Sequence, residues 1–172
     1  TRGEAGEIRN PALASRASLP QVRERELRCA CEAYGIREPH FLDYMDGQLA
    51  IVDQGQAVGK LVKVIRELRP EVMITYGPDG IYGHYDHIAV HRWVTIAFDL
   101  AADSSWFTDV RDGACALHQV SKLYFSVLTE EAVQWMSPPG KPAAVLMDGV
   151  PFPFVGYRRD QLSAIVDVGP YT

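Results

Sequence analysis

The most constraining feature of the sequence is a helix, a short strand, a glycine-rich turn and a second helix predicted in direct succession. Between residues 54 and 69 apolar residues recur at helical spacing, and Pro70 ends the pattern. Residues 72–75 form an apolar run that breaks at residues 77–80, a turn-forming cluster. A second amphipathic segment covers residues 86–102. This alternation predicts βαβ units, and hence an α/β sandwich with a mostly parallel sheet.

The rest of the chain adds weaker signals. A helix is predicted over residues 18–36, with Ser18 as N-cap and Gly35 as C-terminal stop. A short helix is predicted over residues 129–136. Short strands are predicted at residues 41–44, 122–128 and 164–168. On the helix over residues 54–69, four charged residues are expected to face solvent: Lys60, Lys63, Arg66 and Glu67. We find no internal repeat and predict one domain over residues 1–172.

Composition limits the classes of function. A chain of 172 residues with 47% hydrophobic residues can bury a core. A net charge of −5 argues against nucleic-acid binding, which needs clustered Lys and Arg. No apolar run approaches the roughly 20 residues of a membrane span. Three cysteines without a paired CxxC pattern predict reduced thiols, and therefore a cytoplasmic location.

Four polar or aromatic residues crowd the turn after the strand at residues 72–75. They are Tyr82, His84, Asp86 and His87. Ligands of open α/β sheets bind beyond the carboxyl ends of strands, where this turn lies. Asp86 could accept a hydrogen bond from an imidazole and fix its tautomer. The alternative is that Asp86 and the histidines only cap the following helix. Both interpretations remain open from these residues alone.

His87 and His91 share a helix face at a spacing that can hold zinc. The position after His87 is Ile88, so the Glu of a zinc protease of the HExxH type is missing. We therefore expect His91 to be a packed or capping residue.

The stretch from Ile74 to Arg92, with Gly-His-Tyr-Asp-His at its centre, resembles a signature of the PIG-L / LmbE-like N-acetylglucosaminyl de-N-acetylases, usually written Gly-His-Pro-Asp-His. Residues 1–6 and 41–49 are similar to two further landmarks of that family. The resemblance implies a Rossmann-like three-layer sandwich and a zinc ion that activates water to cleave an N-acetyl amide. The substrate class it implies is a small-molecule amino-sugar conjugate.

The resemblance also implies a role for each matching residue. His87 would be a zinc ligand, and His84 an imidazolium that stabilises the tetrahedral oxyanion. Asp86 would orient His84, and Tyr82 would assist the oxyanion or close over substrate. Polar positions that line the sugar pocket correspond to Arg2 and Asp46.

The sequence departs from the family pattern at two places. Tyr85 replaces the usual Pro, and an Ala-His-Pro-Asp-Asp type motif, which supplies further zinc ligands and the general base, is absent. We therefore expect a fragment that lacks its first strand and its C-terminal helix, with weak activity in isolation.

Three hypotheses for the function follow. The first is a zinc-dependent deacetylase, and the second is a non-catalytic domain that binds a sugar or nucleotide. The third, a dinucleotide-dependent enzyme, is disfavoured because no GxGxxG opens a helix after a strand. Aromatic residues of the later half could cover the pocket or form a homo-oligomer contact: Trp106, Phe107, Trp135, Phe152 and Phe154.

Overall fold

The computed structural model describes residues 1–108, 116–147 and 149–166. The helices are α1 (Leu19–Ala33), α2 (Gln54–Leu68), the short α3 (Gly80–Gly83), α4 (Tyr85–Leu100) and α5 (Glu130–Met136). The strands are β1 (Val72–Tyr76), β2 (Lys122–Ser126), β3 (Leu128–Thr129), β4 (Ala144–Met147), β5 (Val150–Pro153) and β6 (Gly156–Tyr157). Short 3-10 turns lie at Leu49–Ile51 and Arg159–Gln161.

The strands form three pairs. β1 pairs with β2 in parallel, and β3 pairs with β6 in parallel. β4 and β5 form an antiparallel hairpin. Parallel pairs need crossover connections, and α4 lies in the connection between β1 and β2. The predicted α/β class is confirmed.

The core lies between α2, α4 and one face of β1. Val58 and Val62 of α2 are almost fully buried, and Trp93 and Ala97 of α4 pack in the same cluster. Asp53 caps α2 by accepting a hydrogen bond from the Gln56 N–H at 2.8 Å. The periodic apolar residues of these two helices therefore form the main core, as the spacing predicts.

The strand β1 has two different faces. Met73 packs against the core and Thr75 is buried, whereas Val72 and Ile74 are 46% and 73% exposed. Alternate residues of a strand point to opposite faces. One face of β1 thus contacts the helices, and the other presents aliphatic side chains to solvent.

The prediction that Arg66 faces solvent is wrong. Its side chain is fully buried and donates hydrogen bonds to backbone carbonyls just beyond the end of α4. The accepting residues are Leu100, Ala101, Asp103, Trp106 and Phe107. Carbonyls at a helix C-terminus lack intrahelical partners, and a guanidinium with five N–H donors can satisfy several of them.

Several weaker predictions also differ from the structure. Residues 41–44 are not a strand, and Ser18 makes no side-chain capping hydrogen bond to α1. Residues 164–166 are not extended in a sheet, and the remainder of that predicted strand, 167–168, lies outside the described residues. The helix at residues 129–136 is confirmed, and Thr129 caps it by accepting from the Ala132 N–H at 3.1 Å.

Among the residues that the structure describes, no helix is long and apolar enough to cross a membrane.

Candidate active site at the carboxyl end of β1

A tight turn connects β1 to α4. Asp79 precedes the short helix α3 and accepts a hydrogen bond from the Ile81 N–H at 2.6 Å. Gly80 has a positive φ of 62°, and a Cβ there would lie only 3.1 Å from the Cβ of His87. Glycine is therefore required where the turn passes close to α4.

His87 lies in the first turn of α4 with its imidazole held from two sides. Its Nδ1 lies 3.1 Å from the Gly80 carbonyl oxygen, and its ring stacks on Tyr76 with centroids 3.9 Å apart. Because a carbonyl only accepts, Nδ1 carries the proton and Nε2 keeps a free lone pair. Burial lowers the pKa of His87 below its usual value. The hydrogen bond to Gly80 thus sets the tautomer, and burial favours the neutral imidazole that binds metals.

His84, rather than Asp86, is the N-cap of α4. The His84 Nδ1 accepts a hydrogen bond from the Asp86 backbone N–H at 3.1 Å. In this arrangement Nδ1 is unprotonated and the neutral ring donates through Nε2–H. The resemblance implied an imidazolium at this position, and a ring protonated at Nδ1 could not accept this hydrogen bond.

The carboxylate of Asp86 is buried and is hydrogen-bonded to the backbone of an earlier segment. It accepts hydrogen bonds from the backbone N–H groups of Gly47 at 2.7 Å and Leu49 at 3.0 Å. The predicted side-chain contact with His84 is replaced by the backbone contact described above. Asp86 therefore joins the segment at residues 46–49 to the start of α4.

Tyr82, His84 and His87 form one cluster of rings. Tyr82 meets His84 edge-on with centroids 5.7 Å apart, and it meets His87 at 5.4 Å. The two imidazoles stack on each other at 4.5 Å. Burial raises the pKa of the Tyr82 phenol, so its hydroxyl stays protonated and can donate a hydrogen bond.

His91 lies outside this cluster. Its Nδ1 donates to the Tyr76 carbonyl oxygen at 2.9 Å, and its ring packs against Phe125 with centroids 4.9 Å apart. These contacts are those of the packed histidine that the sequence predicts.

A cleft of about 1080 Å³ opens beside His84 and Asp86. Its polar lining includes Glu7, Arg16 and Asp46. Its apolar lining comes from the β4–β5 hairpin together with Tyr85. The hairpin residues that line it are Ala144, Val145, Leu146, Met147, Val150 and Phe152. The cleft therefore offers both charged and apolar groups to a ligand.

Of the two residues expected in a sugar pocket, the structure places one at the cleft. Asp46 lines it and holds the N-terminal loop through the Ala5 N–H at 3.3 Å. Arg2 is absent from the described lining and pairs with Glu24 at 2.6 Å and with Asp43. These hydrogen bonds lower the pKa of both carboxyls. Arg2 thus joins the N-terminal loop to α1.

Sequence reasoning missed the apolar hairpin residues of the cleft lining and Arg16. Arg16 lines the cleft and donates from its guanidinium to the Gly6 carbonyl at 2.7 Å. No local signal marks it, because it lies in an irregular loop. The apolar run at residues 144–147 could have suggested a strand, whereas the two prolines of β5 are unfavourable in one.

The described residues do not form a complete metal site. Across residues 1–108, 116–147 and 149–166, no group of three His, Cys, Asp or Glu side chains is placed to hold one ion. A catalytic zinc has three protein ligands. The free Nε2 of His87 fits one of them.

Comparison with known proteins gives a consistent result. A family profile described as PIG-L: GlcNAc-PI de-N-acetylase matches residues 1–98. A 1D-myo-inositol 2-acetamido-2-deoxy-alpha-D-glucopyranoside deacetylase of Streptomyces griseus is 34% identical over 99% of the chain and 59% of its own length. The protein of the same name from Kineococcus radiotolerans is 31% identical over 97% of the chain and 54% of its own length.

Among solved structures, the conserved protein TT1542 from Thermus thermophilus matches with a TM-score of 0.54 and 28% identity. The match covers 74% of this chain and 50% of that one. The chain spans about half the length of these relatives. The profile match covers more than half of the chain, and it includes the turn and the three clustered rings. The chain belongs to the PIG-L family of GlcNAc-PI de-N-acetylases.

Proposed function

We propose that this chain is part of a metal-dependent hydrolase that removes the N-acetyl group from an amino-sugar conjugate. The observation that carries the proposal is the cluster of Tyr82, His84 and His87 at the carboxyl end of β1. In this cluster the Nδ1 of His87 is hydrogen-bonded to the Gly80 carbonyl. The Tyr82 hydroxyl and the Nε2–H of His84 are groups that can donate a hydrogen bond. The names of the relatives support deacetylation as the reaction.

Each residue of the cluster has a separate role in this proposal. The Nε2–H of His84 donates to the acetamide oxygen as negative charge develops on it, and the Tyr82 hydroxyl assists from the side. Asp86 positions His84 through its backbone N–H and fixes the segment that carries Asp46. Donors that are already oriented stabilise the transition state without further reorganisation.

We propose zinc as the metal, with His87 holding it through Nε2. A bound zinc ion lowers the pKa of its water to about 7 and polarises a carbonyl. The other ligands and the general base would come from protein outside this sequence, which we propose is a fragment of one de-N-acetylase domain. The greater length of the relatives supports that part of the proposal.

The mixed polar and apolar lining of the cleft suits a conjugate with a polar sugar and a second group. Asp46 and Arg16 offer hydrogen-bonding groups for sugar hydroxyls, and the hairpin with Tyr85 offers an apolar surface for the second group. A cytoplasmic location is also part of the proposal. It is supported by the free thiols of Cys29 and Cys31.

The test uses the natural full-length protein, with metal content measured and acetate release followed on N-acetylglucosaminyl-inositol. We expect about one zinc per chain and acetate release that a chelator abolishes. His84→Ala should lower kcat by about 10²-fold or more while it keeps the metal. His87→Ala should lose the metal as well. His40→Ala, an exposed histidine outside the cleft, is the matched control.

A non-catalytic binding domain is the second candidate. It is favoured by the lack of a three-ligand group among the described residues. Calorimetry with the same conjugate separates the two: binding without acetate release and without bound metal would support this candidate and reject the deacetylase.

A further inference from the structure

A short segment late in the chain holds the turn between β1 and α4. We define it as residues 154–157 and name it the strap. The Val155 N–H donates to the Ile81 carbonyl at 2.8 Å, and the Tyr157 hydroxyl donates to the Asp79 carboxylate. The strap is therefore hydrogen-bonded to the backbone of the turn at Ile81 and to the side chain of Asp79, which caps the turn.

The turn needs such support because its backbone is strained. Ile81 has φ 71° and ψ −44°, and Tyr82 also departs from helical angles. A positive φ is a genuine outlier for a β-branched residue, and it persists only where surrounding contacts hold it. Asp79 provides one contact through the Ile81 N–H, and the strap provides another through the Ile81 carbonyl.

The strap is itself fixed on its other side. It pairs in parallel with β3, with Gly156 opposite Leu128 and Tyr157 opposite Thr129. A Cβ at Gly156 would lie 2.9 Å from the Cα of Glu130, so the strap has no room to shift towards α5. Because the strap is held by β3, its hydrogen bonds to the turn fix where the turn lies.

The turn also orients the ring cluster. The Gly80 carbonyl, next to Asp79, accepts the hydrogen bond that sets the tautomer of His87. Tyr82 lies between the strap and the imidazoles, with its ring 5.4 Å from that of Phe154 and 5.4 Å from that of His87. A displaced turn would change both the hydrogen bond of His87 and the position of the Tyr82 ring.

We propose that Tyr157 is a positioning residue that acts through Asp79 to set the Tyr82 ring and the tautomer of His87. Its kinetic consequence rests on the proposed deacetylase function. Tyr157 lies in the strap, outside the described lining of the cleft, and its hydroxyl is engaged by Asp79. With its hydroxyl engaged in this way, Tyr157 acts by holding the turn that places Tyr82 and His87.

The experiment compares Tyr157→Phe, Asp79→Asn and the double variant in the full-length, metal-loaded protein. Tyr34→Phe, a tyrosine 80% exposed at the end of α1, is the control. We expect Tyr157→Phe to lower kcat about tenfold with KM changed less than about twofold, since small displacements of catalytic groups cost rate. The double variant should be no slower than Asp79→Asn alone, because one interaction is lost in both.

Nitrogen-15 NMR of the imidazoles, recorded on the metal-free full-length protein so that Nε2 of His87 carries no ligand, gives a readout that does not depend on turnover. In the wild type, His87 should show a proton on Nδ1, and Tyr157→Phe should convert this to a mixture of tautomers. If the wild type releases no acetate but the tautomer changes, the positioning role stands and the proposed function fails. Unchanged His87 tautomer and unchanged kcat in a folded Tyr157→Phe variant would overturn the positioning role.

Discussion

The Asp86 carboxylate accepts the Gly47 backbone N–H at 2.7 Å and, with its other oxygen, the Leu49 N–H at 3.0 Å. A residue at the start of α4 thus fixes a loop that lies nearly forty residues earlier in the chain. Replacement by Ala leaves both N–H groups without this partner. We expect Asp86→Ala to lower the free energy of unfolding by about 3 kcal/mol. Denaturant unfolding measures it, with Asp99→Ala, an exposed aspartate of the same helix, as the control. Equal stabilities of the two variants would contradict the role.

Arg66 should contribute strongly to stability although it is far from the cleft. Replacement by Ala leaves a cavity and removes a charged donor from five buried or half-buried backbone carbonyls. We expect Arg66→Ala to lower the free energy of unfolding by about 3 kcal/mol or more. Arg92→Ala, an exposed arginine on α4, should change it by less than about 0.5 kcal/mol. Thermal melts of both variants would show whether the difference exists.

Gly156 should not tolerate a side chain. Its Cβ would meet the Cα of Glu130 at 2.9 Å, so the backbone of β6 or α5 has to move. We expect Gly156→Ala to destabilise the protein by about 1–3 kcal/mol. Gly55→Ala, in the first turn of α2, is the opposite case, because helix propensity favours Ala over Gly by up to about 1 kcal/mol. Denaturant unfolding of both variants measures the difference. A neutral Gly156→Ala variant would show that β6 has freedom to move.

Tyr157 should make stability sensitive to alkaline pH. The hydrogen bond to Asp79 raises the pKa of Tyr157 from 10.0 to about 12. The folded state therefore keeps a proton that the unfolded chain releases. This contribution is complete below pH 10.0 and is lost as pH rises through about 12. Unfolding free energies across this window should fall less steeply in Tyr157→Phe than in the wild type. Parallel curves for the two proteins would refute the shift.

Tyr85 should affect recognition of the substrate's second group. It is 64% exposed at the cleft, and its ring lies edge-on to Phe152 with centroids 6.1 Å apart. We expect Tyr85→Ala to raise KM about threefold to tenfold for N-acetylglucosamine conjugates with an apolar aglycone, with little change in kcat. N-acetylglucosamine itself, which lacks that group, should show no such difference. Equal effects on both substrates would show that Tyr85 does not recognise the second group.

Local patterns predicted the part of the fold that lies closest to the site. The apolar periodicity of α2, the stop at Pro70 and the turn residues before α4 each act within a few residues, and all are observed. The ring cluster was predicted because its three members are neighbours in sequence. Its internal bonds were not predicted, because His84 and Asp86 both have a hydrogen-bonding side chain that could cap α4.

The errors concern interactions between distant segments. The burial of Arg66 depends on carbonyls contributed by residues 100–107, and a helical pattern gives no indication of them. The ion pairs of Arg2 depend on where α1 packs. The hairpin of β4 and β5 contains prolines, which are unfavourable in a central strand. Both strands of a two-stranded hairpin are edge strands, however, and a missing N–H on the outer edge removes no ladder hydrogen bond.

The exposed face of β1 has a practical consequence for measuring the size of the protein in solution. A polypeptide of these 172 residues alone would present Val72 and Ile74 to water, beside a strand edge that is unpaired among the described residues. Such surfaces drive sheets to add to one another. Oligomers of that polypeptide would therefore grow with concentration and lack a fixed stoichiometry.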